Sequence, residues 1–99
     1  MLNTFPNNLV RYSETSVFNE DTVPEGLQRN HKTKPGVWAK AIVSSGSIDY
    51  ILEDTPEAVV RVDSGNFALI EPEVPHHIRV TGKVTFQLEF YRAQNAEES

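Results

Sequence analysis

The stretch "VTFQLEFY", residues 84–91, decides the fold. Val84, Phe86, Leu88 and Phe90 alternate with Thr85, Gln87, Glu89 and Tyr91. Successive side chains of an extended chain point to opposite faces, so this is a strand with one buried face. Working outward, "VWAKAIV" (37–43), "SIDYIL" (47–52), "AVVRV" (58–62), "NFALI" (66–70) and "HHIRV" (76–80) are also rich in β-branched and aromatic residues. Between them stand turn signals. "SSGS" (44–47) is expected to turn a hairpin at Gly46, Pro56 in "EDTPE" (53–57) stops pairing, and "DSGN" (63–66) and "TGK" (81–83) supply further turns. Almost no window repeats at helical spacing, which predicts an all-β sandwich or barrel with no crossover helices.

Length and charge narrow the class. The 99 residues fit one domain spanning 1–99, with the polar tail "AQNAEES" (93–99) fraying at its end. Nine Lys and Arg against 14 Asp and Glu give a net charge of -5 without a basic stripe, which argues against a nucleic-acid partner. With no cysteine there is no disulfide framework, thiolate metal site or cysteine nucleophile. "MLNTFPNNLVRYSE" has no charged start followed by an apolar run, and no apolar stretch approaches membrane-spanning length. The expectation is a cytoplasmic protein that does not engage a membrane.

The chemistry concentrates on histidines. There are three: His31 in "HKTKPGVW", and His76 and His77 in "EPEVPHH". His31 and Thr33, two apart, share a face if the chain there is extended, whereas the neighbours His76 and His77 must diverge. At most one of that pair shares a pocket with His31, and His77 is expected to face solvent. Pro72 and Pro75 push Glu71 and Val74 toward extended backbone and stiffen the approach to His76. Glu71 is the first carboxylate to consider beside the histidines. Glu89 ranks below it, because it lies opposite the phenylalanine face of its strand. Lys34 and Lys40 are candidates to place positive charge at a pocket rim, and Trp38 is expected to pack.

"VPEGLQRNHKT" through Gly46, followed by "GNFALIEPEVPHHI", resembles the paired motifs of the cupin superfamily. "HKTKPGVW", "IEPEVPH" and "EFYR" are similar to its TehB-like or YeaR-like branch, whose name is linked to tellurite resistance. The resemblance covers roughly residues 9–92. It implies a single-domain cupin jelly-roll β-barrel, a double-stranded β-helix, whose first motif gives two histidines and a glutamate to a metal and whose second gives one histidine. His31 matches the first histidine and Thr33 stands where the second would be. Ala39 or Trp38 falls at the usual glutamate, and His76, after Pro75, matches the histidine of the second motif.

Two of four ligands survive, so the implied site is reduced: His31 and His76, with Glu71 as third ligand or as catalytic proton acceptor. Two histidines, a carboxylate and an open position suit a divalent metal ion, zinc first, with iron, nickel or manganese as alternatives. Thr33, Lys34 and Lys40 would contact a small-molecule or oxyanion ligand. Two functions follow: a small metal-binding cupin of open activity, or a non-enzymatic module that binds or senses such a ligand without a catalytic metal. The sequence does not decide between an enzyme and a binder. Methyl transfer is not carried over, because there is no Gly-rich cofactor loop. Small jelly rolls cover their sheet edges by pairing, so a homodimer is expected.

Overall fold

The computed structural model describes residues 8–29, 31–53 and 57–93. The tail beyond Ala93 and the centre of "EDTPE" lie outside them. Among the described residues seven strands follow in order: β1 (Leu9–Glu14), β2 (Phe18–Asn19), β3 (Trp38–Leu52), β4 (Ala58–Asp63), β5 (Phe67–Ile70), β6 (His76–Arg79) and β7 (Val84–Ala93), with one 3-10 turn at Glu25–Gln28. Every pairing is antiparallel. No helix among the described residues is long and apolar enough to cross a membrane.

β3 organises the barrel. Its first half lies between β7 and β5, with Ala41 opposite Leu88 and Ala68, and its second half lies between β4 and β6, with Tyr50 opposite Val60 and Ile78. β1 and β2 extend the first sheet along β7.

"SSGS" is therefore not the expected hairpin turn. β3 runs straight through it, and a bulge between Val43 and Ser45 shifts the register against β7. One inserted residue exchanges the two faces of a strand. Before the bulge the odd-numbered Ala39, Ala41 and Val43 enter the core; after it the even-numbered Ile48 and Tyr50 do. One long strand can thus serve both sheets and keep its apolar side inward. Gly46 makes the crossing possible: its φ is +73°, and a Cβ there would lie 2.1 Å from the Lys83 carbonyl oxygen. Any side chain would have to displace β7 backbone.

The other expectations about strands hold. Val84, Phe86 and Leu88 are buried with Phe90 packed against them, while Ile70 and Ile78 fill the core from β5 and β6. Phe86, fully buried, meets Phe18 edge-on with ring centroids 5.7 Å apart. "DSGN" is a turn, closed by the Asn66 amide donating to the Asp63 carbonyl at 3.1 Å, with Gly65 at φ +86°.

Candidate functional site

His31 lies outside the named strands but forms an isolated antiparallel bridge with His76. Each backbone amide donates to the other's carbonyl at 2.8 Å. The two "H" motifs therefore meet, and the bridge fixes their backbones relative to each other. The rings stand nearly perpendicular, at 87°, with centroids 5.3 Å apart.

His76 is the buried member, only 2% exposed. Its Nδ1 lies 2.8 Å from the Val74 carbonyl oxygen. A carbonyl can only accept, so Nδ1 carries the proton and Nε2 keeps its lone pair. Burial pushes its pKa below the ordinary histidine value and outweighs the Val74 bond, which acts the other way; the neighbouring His31 lowers it further. A neutral imidazole with one nitrogen tied to backbone and the other available is the form that binds metal ions.

Tyr50, from the second half of β3, lies against His76 with ring centroids 5.4 Å apart. Burial, with the charge of Glu71 second, holds its phenol protonated well above the ordinary tyrosine range. The carboxylate of Glu71 thus acts electrostatically on the ring that packs on His76. Sequence reasoning missed Tyr50, although alternation in "SIDYIL" places it on the same face as Ile48.

Among the described residues, no three His, Asp or Glu side chains come together as a group that could hold a metal ion. The histidine pair matches two positions of one in ring separation. Two imidazoles on a tetrahedral zinc, with Zn–N bonds of about 2.0–2.1 Å, have centroids roughly 5 Å apart, against the 5.3 Å found here. Ala39, at the position of the usual glutamate, points into the core with no donor atom, and Trp38 is on the opposite face.

The remaining candidates separate. Thr33 is buried, and its hydroxyl donates to the Val37 carbonyl at 2.8 Å, with the Glu71 carbonyl at 3.5 Å. With its proton so placed it offers a ligand lone pairs, not a hydrogen bond to an oxyanion. Lys34 lines a pocket of about 310 Å³ next to His31 and Thr33. Lys40 is corrected: next to inward-facing Ala39 and Ala41, it must point outward, and its ammonium lies over the rings of Phe67 and Tyr91, at 4.6 and 5.3 Å. Glu89 shares that outer face, accepting from the Tyr91 hydroxyl at 2.6 Å and from Arg11 at 2.8 Å. His77 diverges from His76 as expected but is half-buried, not bare to solvent, with its Nδ1 paired to the Glu53 carboxylate.

A barrel of antiparallel strands with one histidine from each of two bridged segments defines a small cupin-type domain. Residues 13–88 match the model of the TehB-like domain, and the chain belongs to the TehB-like family. The uncharacterized protein YeaR of Escherichia coli strain K12 is 29% identical over 97 residues, covering 89% of this chain and 82% of YeaR. A crystal structure of an E. coli K12 protein superposes with a TM-score of 0.85 at 27% identity, over 95% of this chain and all of that one. The crystal structure of TehB from Haemophilus influenzae gives 0.75 at 24% identity over 88% of this chain but only 32% of TehB, a similarity of fold. A cupin-2 domain protein from Shewanella frigidimarina shares the fold at a TM-score of 0.51 and 14% identity over 92% of this chain and 76% of that one.

Proposed function

We propose that this domain is a small-ligand-binding cupin in which His31 and His76 hold a divalent metal ion. The observation that carries the reading is the His76 ring: buried, neutral, with Nδ1 on the Val74 carbonyl and its edge-to-face partner His31 at 5.3 Å. Two imidazoles suit zinc best, with iron, nickel and manganese as alternatives, and leave the other positions to water or an incoming ligand. A bound ion would supply Lewis acidity to that ligand. Glu71 enters this reading as a proton acceptor, supported by its electrostatic reach to Tyr50 beside His76, and not as a third ligand, since no carboxylate joins the two histidines in a metal-holding group among the described residues. Tyr50 stays protonated and packs the His76 ring in place.

Metal content after purification without added metal tests the proposal. About one ion per chain is expected in the wild type, with loss in both His31→Ala and His76→Ala and retention in Lys40→Ala, whose side chain lies on the outer face. Equal metal content in wild type and both histidine variants would sink it.

A further inference from the structure

The pocket beside His31 has a character that the histidine pair does not explain. It is about 310 Å³, at the lower end of the size range of small-molecule sites. Lys32 and Lys34 stand on its lining and no Asp or Glu does, in a chain whose net charge is -5. Both lysines are exposed, and among the described residues neither forms an ion pair, whereas Arg11, Arg29, Arg61 and Arg79 each do. The carboxylates that form ion pairs here thus serve the arginines and His77, and the pocket keeps its positive charge.

The lining also has an apolar and aromatic part, from Val37, Phe90 and Tyr12. Tyr12 and Ser13 both line the pocket although they are neighbours on β1, where alternation should separate them. A bulge accounts for this: the pairing with β7 passes from Arg11 opposite Tyr91 to Ser13 opposite Phe90, leaving Tyr12 as the extra residue. Bulges re-aim side chains in this way. The Arg92 guanidinium lies 4.5 Å from the centroid of the Tyr12 ring and packs on it.

We infer that this pocket binds an amphipathic organic anion, its charged end between Lys32 and Lys34 and its aromatic or aliphatic body against Tyr12, Val37 and Phe90. The inference extends the proposed function by naming the ligand class, and it shares only His31 with the metal reading. Thr33, with its proton on Val37, contributes no donor, so the lysines carry recognition of the charge.

Three probes of the same shape test it: 2-naphthoate, 2-naphthamide and 2-naphthamidine, titrated into the full chain in the presence of a chelator and followed by NMR shifts. Naphthoate is expected to bind on the order of tenfold more tightly than the amide, with the amidine weakest. Raising salt should weaken the anion and leave the amide unchanged. Lys32→Glu with Lys34→Glu should abolish the preference for the anion while the metal content stays at the wild-type level. Equal binding of the three probes, no binding of naphthoate, or an anion preference that survives added salt or the double substitution would overturn the inference. Because the titration is run with the metal chelated, failure of the metal reading would leave its outcome unchanged.

Discussion

Replacing Gly46 by alanine tests the long-strand architecture. Its φ of +73° lies in the left-handed region, where an L side chain costs about 1–2 kcal/mol. The added Cβ would also meet the Lys83 carbonyl oxygen at 2.1 Å and the Val84 Cα at 2.9 Å. Both neighbours are backbone, so the overlap is relieved only by moving β7 away from β3, at a further cost of roughly 1–3 kcal/mol. Together these give about 2–5 kcal/mol, a large share of the roughly 5–15 kcal/mol expected for a domain of this size. At about 4–8 °C per kcal/mol, the melting temperature should fall by roughly 8–40 °C. Gly65 is the control: its φ is +86°, but nothing lies within 4 Å of the position a Cβ would take, so Gly65→Ala should cost only the conformational part, about 1–2 kcal/mol. Urea unfolding of both variants, followed by circular dichroism, measures the difference. If Gly46→Ala costs no more than Gly65→Ala, the close approach of β3 to β7 is wrong.

Other outcomes follow from the packing and the outer face. Phe86→Ala removes the largest fully buried side chain among the described residues and should cost about 3–5 kcal/mol in urea unfolding. The Glu89 carboxyl is held below its ordinary value of 4.5 first by the Tyr91 hydroxyl and then by Arg11, while burial opposes them. Its folded pKa is therefore below the unfolded one, so the stabilisation is complete above pH 4.5 and is lost as pH falls through the folded value. Tyr91→Phe should cost about 1 kcal/mol at neutral pH, and the cost should shrink in acid; a cost independent of pH would contradict this. The same carboxylate, with burial as the larger cause, pushes the Tyr91 phenol up to about 12, so in wild type the ultraviolet titration of Tyr91 should lie well above that of an exposed tyrosine, and Glu89→Gln should lower it.

Much of the barrel was legible because its strands alternate cleanly. "VTFQLEFY" and "VWAKAIV" bury the residues that their period predicts, since an antiparallel strand with one face on the core shows the pattern directly. The hairpin expected at Gly46 failed for an informative reason. A glycine suits a turn and a strand pressed closely against a neighbour's backbone equally well, and only the change of inward residues from odd to even across 44–47 distinguishes them. β1 escaped notice because "LVRYSE" lies at the edge of the sheet with nearly every residue exposed, so it has no buried face to show as alternation. The pairing of His31 with His76 was visible as two matched motifs. Tyr50 and the pocket lysine Lys32 were not, since their roles depend on which segments pack together. Alternation already set Lys40 on the face opposite Ala39 and Ala41; its packing over Phe67 and Tyr91, not a pocket rim, depends on which strands lie beside it.

The most direct test of the metal reading is calorimetric titration of zinc into the chelator-stripped protein at neutral pH. It should show one saturable site per chain in the wild type, weakened at least about a hundredfold, beyond the range for loss of a supporting contact, in His31→Ala and in His76→Ala alike. Zinc uptake that is absent from the wild type, or that survives either substitution unchanged, would contradict the claim that the two histidines share an ion.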